Sequence, residues 1–473
     1  MNKYRVSQYL NIVDMNETAL LFNGINGCLD EVSRPLAENL KSNTDDFSFL
    51  SGEDIEFLAK RGHITKLDAE TERARFKELT AAIHAKRAKE VFNGGIMLLM
   101  SYNCNLACKY CYQQQHRPGK SKAIMSEELL DLVLSKHLSA LLPGIATKNI
   151  RLSFYGGEPF LESNEHIVRK ALGYAKQYGM GANAISNATQ VDKMADIFGE
   201  GPGKVNQVQV SLDGDREHHD ASRIPASGEA TFDTIVKNVA MLLKQKTRIS
   251  LRLNLDRPKM AAIPQLIEEL KKLKIADDPH ASIYASPLHD NIAEVDATDF
   301  MDISELSEKT FNLGIDLEHP VSLRANDLNY LFQLEKGLGL VSTSFCMQTL
   351  QNTLVVDPFG DLYSCFEEAG YPEFRVGHIS EQGVEWFPLR ETYKTRHIAN
   401  MPDCINCSVA LACGGQCGVR CRAKTGDLFK PHCDNIKSVI LEGIKLAYKR
   451  KQTLGAQAEK QQINRSETIS MHA

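Results

Sequence analysis

Three cysteines stand close together near residue 100, directly behind an apolar stretch at residues 96–100 that predicts a strand. They form the run Cys104-x3-Cys108-x2-Cys111, called the first cysteine run below. Three thiols on one loop can bind an iron–sulfur cluster and leave its fourth iron without a protein ligand. A three-cysteine zinc site or plain buried thiols are the alternatives, although zinc sites usually combine two separated C-x2-C pairs. The run therefore predicts an open iron, which indicates chemistry.

An aromatic residue, Tyr110, precedes the last thiol, and the whole run resembles the signature of radical S-adenosylmethionine (radical SAM) enzymes. The resemblance implies that Cys104, Cys108 and Cys111 hold a catalytic 4Fe-4S cluster and that Tyr110 belongs to the SAM site. In that family the open iron binds the amino and carboxylate groups of SAM, and an electron splits SAM into methionine and a 5'-deoxyadenosyl radical. The protein holds cofactor and substrate in line.

A second motif, Gly156-Gly157-Glu158-Pro159, ends the next predicted strand, and Gly156 lies 45 residues after Cys111. Two glycines let the backbone approach a ligand closely. Glu158 offers a carboxylate to an ammonium group. By the resemblance, this segment meets the amino group of SAM.

Polar residues at the ends of two further predicted strands extend this SAM site. Asn187 matches the middle of a Thr-Asn-Gly turn that is usual in the family, although Ala188 stands in place of the glycine. Ser211 and Asp213 end the fourth strand, and Arg223 follows them. Hydroxyl and carboxylate groups can hydrogen-bond a ligand, and arginine can pair with a carboxylate through two hydrogen bonds. The resemblance implies that Ser211 and Arg223 bind SAM.

Weaker candidates complete the set. For Arg223 the alternative is a surface ion pair with Asp220. Arg252 and Asn254 share the face of a strand opposite its leucines, and they either line the pocket or are satisfied polar groups of the core. Leu288, just beyond the sixth strand, is expected to pack on the adenine ring.

Eight further cysteines lie between residues 346 and 433. Seven of them resemble, cysteine by cysteine, the pattern of the SPASM domain, which houses two auxiliary 4Fe-4S clusters in a subset of radical SAM enzymes. The resemblance implies two sets of ligands, Cys346, Cys365 and Cys417 (the first auxiliary group) and Cys404, Cys407, Cys413 and Cys433 (the second auxiliary group). The eighth, Cys421, either completes the first group or lies near an iron that is open to a substrate thiolate. A pair of zinc ribbons is the alternative.

Strand and helix patterns alternate over residues 94–300. Strands are predicted at residues 96–101, 150–155, 183–186, 205–212, 249–255 and 281–286, and helices at 127–141, 164–178, 192–198, 231–244 and 263–273. This order predicts a parallel sheet with right-handed crossovers. Six units are two short of a closed barrel, so we expect an α/β fold with a partial (β/α)6 TIM-like barrel, which the resemblance also implies. Chemistry then gathers at the carboxyl ends of the strands.

Residues 1–88 carry no motif that could do chemistry. A strand is predicted at 18–22, a helix at 30–40, a capping box from Ser51 to Asp54 before a helix at 55–60, and a short strand at 63–65. This winged-helix-like pattern resembles the element of peptide-modifying radical SAM enzymes on which a leader peptide adds a strand to a sheet edge. A simple packing extension is the alternative. A connecting helix is predicted at 67–90.

The remaining segments complete the expected domain order. Residues 301–341 are expected to form a helical linker, residues 342–440 the SPASM domain with a hairpin turn at 357–363, and residues 450–473 a disordered tail with little apolar content.

Composition excludes several classes of protein. A chain of 473 residues is too long for one core, and its net charge of -5 with 24% charged residues shows no basic stripe for nucleic acid. No apolar run approaches the ~20 residues that span a bilayer, and no signal peptide begins the chain. Clustered cysteines indicate metal ligands rather than disulfides. We therefore expect a cytoplasmic enzyme.

Together these features predict a maturase that abstracts hydrogen from a ribosomally made precursor peptide, bound through its leader, and installs a thioether or C–C crosslink. SAM, three 4Fe-4S clusters and a reductant such as flavodoxin or ferredoxin are the implied cofactors and partners. One alternative is an anaerobic sulfatase-maturating enzyme. Those enzymes carry a basic aspartate right after the cysteine equivalent to Cys365, where this chain has Phe366, Glu367 and Glu368. The two glutamates are expected to be a solvated acidic pair, with Glu367 as an alternative base left open. A non-catalytic iron–sulfur partner protein is the other alternative.

Overall fold

The structure is a computed structural model that describes residues 4–42, 46–113, 123–225, 228–288, 298–301, 305, 306, 309, 342–433, 435–445, 448 and 452. The N-terminal part contains strands β1 (Arg5–Val6), β2 (Leu10–Asp14), β3 (Thr18–Asn23), β4 (Leu29–Ser33) and β5 (Ile64–Thr65), and helices α1 (Arg34–Lys41), α2 (Gly52–Lys60) and α3 (Ala69–Lys89). Strands β2, β3 and β4 form an antiparallel sheet, and β1 pairs with β5.

The helix predicted at residues 30–40 is wrong in its first part. Leu29–Ser33 is a strand whose partners on β3 run from Phe22 to Thr18, and the helix begins only at Arg34. Antiparallel pairing satisfies the backbone groups of this segment, and a proline in the first turn of α1 suits a helix start. The capping box from Ser51 to Asp54 and the helix at 67–90 are confirmed. The short strands β1 and β2 were not predicted.

The central part contains the six predicted strands, all parallel to their neighbours. They are β6 (Gly94–Leu99), β7 (Ile150–Tyr155), β8 (Gly181–Ser186), β9 (Val205–Leu212), β10 (Arg248–Leu255) and β11 (Ala281–Pro287). The helices are α4 (Glu127–Asp131), α5 (Leu138–Leu141), α6 (Glu165–Tyr178), α7 (Arg216–Ser222), α8 (Phe232–Lys244), α9 (Arg257–Met260) and α10 (Ile263–Lys272). The predicted parallel sheet is therefore confirmed.

Three details of the helices differ from prediction. The helix expected at 127–141 is interrupted by a π-helical turn at Leu132–Lys136, and the segment Val191–Ile197 is a 3-10 helix with a kink at Met194. Helix α7 was not predicted. It begins because the Asp215 side chain accepts a hydrogen bond from the backbone N–H of His218, which satisfies a free N–H at the helix start.

Alternate side chains of the parallel strands point to the two faces of the sheet. Those that face the helices form the main apolar core, for example Leu251 and Leu253 of β10. The opposite face carries polar side chains such as Gln209, Ser211 and Arg252, which line a cavity. The fold therefore separates an apolar packing face from a polar face that can bind a ligand.

The C-terminal part extends the same sheet. Strands β12 (Thr353–Val356), β13 (Asp361–Tyr363), β14 (Gly377–Ser380) and β15 (Gly383–Trp386) follow one another, and β12 pairs in parallel with β6. The resulting ten-stranded sheet has the order β11-β10-β9-β8-β7-β6-β12-β13-β14-β15. The predicted hairpin turn is confirmed between β12 and β13, where Gly360 has φ = 82°. The addition of β12 was not predicted, and it covers an edge of β6 that would otherwise be unpaired.

Short helices at Pro388–Lys394, Pro402–Ile405, Ala410–Cys413 and Gly418–Thr425 complete the C-terminal part. The N-terminal part packs directly on it. The Tyr9 hydroxyl donates to the carbonyl of Ile405 at 2.6 Å, and Asn11 and Ser408 exchange two hydrogen bonds. Nearly all of the predicted linker at 301–341 and of the tail at 450–473 lies outside the described residues. Within the part of the chain that the structure describes, no helix is long and apolar enough to cross a membrane.

Candidate functional site: three thiols at the carboxyl ends of the parallel strands

The first cysteine run lies on the loop that follows β6. The backbone of this loop is fixed against the segment behind α7, since the N–H of Ala107 donates to the carbonyl of Ile224 at 2.6 Å and Leu106 pairs with Pro225. All three thiols are partly buried and line one cavity. The structure thus brings them together, as their spacing predicts.

Burial is the main influence on these thiols. It raises the pKa of Cys104 to about 12 and the pKa of Cys108 to about 11, while the guanidinium of Arg223 lowers the latter in part. Such thiols keep their protons at neutral pH unless a strong cationic charge binds them, and a coordinating metal deprotonates a thiol outright. Three thiols that line one cavity are therefore suited to bind the iron atoms of an iron–sulfur cluster.

The two glycines of the second motif lie against the cysteine loop. A Cβ atom on Gly156, which has φ = 137°, would lie 2.3 Å from the carbonyl oxygen of Ser101, and one on Gly157 would lie 2.2 Å from that of Asn103. The N–H groups of Gly157 and Glu158 donate to these same two carbonyls, both at 2.9 Å. The glycines line the cavity. The close approach of the cysteine loop is nevertheless the first reason why these two positions must be glycine, since the loop leaves no room for a side chain.

Glu158 is 1% exposed and lies behind the cavity wall. One carboxylate oxygen accepts from the Ser186 hydroxyl at 2.7 Å and from the Phe160 N–H at 3.0 Å, and the other accepts from the Asn187 N–H at 2.6 Å. Burial raises the pKa of Glu158, which these hydrogen bonds oppose. In this structure the carboxylate joins the ends of β7 and β8.

The turn after β8 places a non-glycine residue in the left-handed region of backbone conformations. Ala188 has φ = 60° and is fully buried. This left-handed conformation lets the Asn187 amide reach the Cys104 sulfur at 3.7 Å and Asn105 Oδ1 at 2.9 Å. Asn187 therefore lines the cavity and positions the cysteine loop.

A buried polar network lies beside the second and third thiols. The Tyr110 hydroxyl donates to Asp213 and accepts from Arg223 Nη1 at 2.9 Å, and Asn254 donates to Asp213 Oδ1 at 2.9 Å. Arg223 is 7% exposed, and the carboxylate of Asp220 instead accepts the N–H groups at the start of α8. The alternative of a surface ion pair between Arg223 and Asp220 is therefore wrong. Asp213 does not itself reach the cavity wall, whereas the other three network members do.

Other predicted residues lie where expected, and the structure adds some that were missed. Ser211, Arg252 and Leu288 line the cavity. Residues not singled out from the sequence also line it, namely Tyr112, Gln113, Tyr155, Ile185 and Gln209. Strand alternation could have found Gln209, which is two residues before Ser211, and adjacency to Cys111 could have found Tyr112 and Gln113.

An aromatic contact joins the cysteine loop to the C-terminal part. The hydroxyls of Tyr112 and Tyr155 share a hydrogen bond, and the Phe366 ring lies edge-on to Tyr155 at 5.2 Å between centroids. Tyr112 follows Cys111, and Phe366 follows Cys365. The residue after a cysteine of the first auxiliary group thus lies at the cavity of the first cysteine run.

Cysteines of the first auxiliary group are close enough to affect one another's ionisation. Burial is the largest influence and raises the pKa of Cys417 to about 12, with Glu367 and Cys346 adding to the effect. Burial likewise raises the pKa of Cys365, to which the charges of Glu368, Glu367 and Cys417 contribute. The three thiols assigned to this group are therefore neighbours.

The second auxiliary group shows the same behaviour. Burial raises the pKa of Cys404, and the next contributions come from Cys413, Cys407 and Cys433. Cys421 is buried, and its sulfur accepts a hydrogen bond from the His432 N–H at 3.3 Å and lies 3.9 Å from the Gly415 carbonyl oxygen. Among the described residues, no three His, Cys, Asp or Glu side chains converge closely enough to hold a single metal ion.

The expectation that Glu367 and Glu368 form a solvated acidic pair is wrong. Glu368 is fully buried and accepts hydrogen bonds from Tyr393 and Arg422. Burial raises the pKa of Glu368 to about 7, although the charge of Arg422 opposes this. Glu367 lines the cavity. The turn that follows β13 sends the two carboxylates to different sides, which their adjacency in sequence could not reveal.

Comparison with known proteins agrees with this geometry. The family model of the radical SAM superfamily matches residues 98–268. A serine-type anaerobic sulfatase-maturating enzyme of Bacteroides thetaiotaomicron is 24% identical over 365 residues, which cover 68% of this chain and 82% of the relative. The radical SAM cyclopropyl synthase TigE of Paramaledivibacter caminithermalis is 22% identical over 482 residues, which cover 92% and 94%.

Solved structures share the fold. Native anSMEcpe with bound AdoMet has a TM-score of 0.53 at 18% identity and covers 75% of this chain and 99% of its own. Streptococcus suis SuiB bound to the precursor peptide SuiA has a TM-score of 0.51 at 14% identity and covers 90% and 98%. The matched region begins on β6 and runs into α10, so it holds the cysteine loop and most of the cavity wall, whereas Leu288, Phe366 and Glu367 of that wall lie beyond it. This chain therefore contains a radical SAM domain at residues 98–268.

Proposed function

We propose that the chain is a radical SAM peptide maturase that installs a thioether or C–C crosslink in a ribosomally made precursor peptide. Its bound groups would be SAM and three 4Fe-4S clusters, held by the first cysteine run and the two auxiliary groups. The cysteines of the first run would hold a cluster whose electron cleaves SAM to methionine and a 5'-deoxyadenosyl radical, the species that would abstract a hydrogen atom from the peptide. The precursor peptide is held through its leader, and flavodoxin or ferredoxin provides electrons.

The observation that carries this proposal is the position of Phe366 and Glu367 at the cavity of the first cysteine run. Both follow Cys365 of the first auxiliary group. Forming a crosslink removes two hydrogens from the peptide, one as a hydrogen atom and one as a proton together with an electron. A peptide bound in this cavity lies beside a group of thiols suited to a cluster that accepts that electron.

Different residues of the cavity bind SAM and exclude water. Arg223 and Ser211 bind the SAM carboxylate, the backbone at Gly156 and Gly157 lies along the methionine end, and Leu288 packs on adenine. The aromatic side chains at the C-terminal side of the cavity exclude water, which protects a reactive radical from side reactions.

The extent of the matches supports a peptide substrate. TigE matches over 92% of this chain and SuiB over 90%, so both matches extend into or across the N-terminal part. The sulfatase-maturating relative and anSMEcpe match over 68% and 75%. The sheet of β2, β3 and β4 in the N-terminal part offers edge strands to which an extended leader can add. We place leader recognition there.

The test uses the full chain after reconstitution with iron and sulfide. Reduced enzyme, SAM and the precursor peptide encoded beside the gene should release 5'-deoxyadenosine and give a peptide that is lighter by about two hydrogens. The control is the same peptide without its leader, whose conversion should fall sharply. SAM cleavage with an unchanged mass of the full-length peptide contradicts the proposal.

A second candidate is maturation of a sulfatase, which the relative from Bacteroides thetaiotaomicron favours. The position after Cys365 is Phe366, so the usual aspartate base is absent, yet Glu367 lies at the cavity. A sulfatase peptide with the target serine or cysteine distinguishes the two functions. Conversion of that peptide to formylglycine, abolished by Glu367→Gln, favours this second candidate.

A further inference from the structure

Some N–H groups at the cavity wall have no hydrogen-bond acceptor among the described residues. Within the described residues, three side chains that line it carry a buried nitrogen without a hydrogen-bond partner, Gln113 Nε2, Arg223 Nε and Arg252 Nε. Every such atom at the cavity wall is a donor. Because a buried donor without an acceptor is destabilising, the cavity is suited to a ligand rich in oxygen acceptors.

Arg252 is the cation with the least compensation. Its Nη2 donates to the Ser286 hydroxyl at 3.0 Å, and no carboxylate in the described part of the chain lies within ion-pair distance of it. A partly buried cation whose protein contact is a neutral hydroxyl is stabilised when an anion enters the cavity.

The other charges near the cavity do not fill this role, and the Glu367 carboxylate, which lines the cavity, is not within ion-pair distance of Arg252. Arg223 already has the Tyr110 hydroxyl, whose proton goes to Asp213. The Asp213 and Glu158 carboxylates lie behind the wall and accept hydrogen bonds from their own neighbours. Arg223 is also the residue assigned to the SAM carboxylate, so Arg252 remains for a second anion.

The position of Arg252 suits contact with substrate. It lies next to Ser211 in the register of β10 with β9 and beside Tyr284 of β11, on the polar face of the sheet. Gln113 lies on the cysteine loop and is 4% exposed. These two donors thus belong to different walls of one cavity.

We infer that Arg252, with Gln113 as a second donor, binds a carboxylate of the peptide substrate, either an Asp or Glu side chain or the C-terminal carboxylate. This inference rests on the proposed function and adds to it a substrate feature near the reacting residue. Arg252 is a specificity-determining residue that selects which segment of the peptide enters the cavity.

The test compares Arg252→Gln with wild type in the reconstituted full chain. A lost charge-assisted hydrogen bond raises the KM for the precursor peptide by ~10- to 100-fold, while the SAM dissociation constant stays within about twofold. The matched control is Arg248→Gln, because Arg248 is exposed on the same strand and lies outside the cavity. This control should change neither the KM for the peptide nor the SAM dissociation constant. Arg252→Lys keeps the positive charge, so its KM for the peptide should lie between the values of wild type and Arg252→Gln.

Peptide variants identify the carboxylate. Each Asp or Glu in the part of the precursor peptide that follows the leader is changed to Asn or Gln, and one peptide is amidated at its C-terminus. One of these changes should raise KM with wild type but have no further effect with Arg252→Gln. A tenfold weaker binding of SAM to Arg252→Gln, or the absence of any such coupled peptide change, overturns the inference. Failure of the proposed function is separate, because wild type then modifies no peptide at all.

Discussion

The contact between the two glycines and the cysteine loop leads to a sharp prediction for Gly157→Ala. The new Cβ would lie 2.2 Å from the carbonyl oxygen of Asn103, whereas ordinary contacts begin at 3.4 Å. The loop must therefore move by about 1 Å. Backbone cannot rotate away as a side chain would, so overpacking costs about 1–3 kcal/mol.

Two hydrogen bonds weaken with this movement. They run from the N–H groups of Gly157 and Glu158 to the carbonyls of Ser101 and Asn103. Each contributes about 0.5–1.5 kcal/mol, so the total loss of stability is about 2–6 kcal/mol. A 1 Å displacement of reacting groups also lowers the rate by ~100-fold, and we expect SAM cleavage to fall by at least that factor.

The assay combines denaturant unfolding without SAM, iron content and 5'-deoxyadenosine release. The matched control is Gly173→Ala in helix α6, where a Cβ meets nothing within 4 Å, and which should stabilise the helix by about 1 kcal/mol. If Gly157→Ala has wild-type stability without SAM and loses only SAM affinity, the glycine serves the ligand and the loop-packing argument is refuted.

Three further outcomes are expected. Changing all three thiols of the first cysteine run to alanine abolishes SAM cleavage and leaves iron bound at the auxiliary groups, as measured by iron content and absorbance. Burial lowers the pKa of His219 to about 3, so the unfolded chain takes up a proton first as the pH falls below 6.5. Stability at pH 5 is then lower by about 2 kcal/mol than at pH 7, and His219→Asn removes that part of the pH dependence in denaturant titrations. Arg422→Met leaves the buried carboxylate of Glu368 unpaired and costs about 3–5 kcal/mol, and adding Glu368→Gln recovers part of this loss.

The strand pattern of the central part was predictable because it depends on local periodicity. Strands β7 and β9 have the predicted bounds, since apolar residues that alternate or run continuously between turns favour strands whatever follows them. The start of α1 was not predictable from the sequence, because Leu29–Ser33 forms a strand only through its pairing with β3. Neighbouring strands override a weak local helix preference.

The candidate site divides in the same way. The spacing of the first cysteine run by itself predicted that its three thiols share one site, whereas the division of the C-terminal cysteines into two groups came only from the resemblance to the SPASM pattern. The sequence also placed Ser211 and Arg252 on the polar face of strands, since alternation fixes the face on which a side chain lies.

Only the tertiary structure decided what those residues touch. It put Glu158 and Asp213 behind the cavity wall, buried Glu368 against Arg422 and left Glu367 at the cavity. It also brought Phe366 from the C-terminal part beside Tyr155. These contacts join segments more than 50 residues apart or turn neighbours to opposite sides, and the free energy of packing and pairing that selects them is absent from any local stretch of the chain.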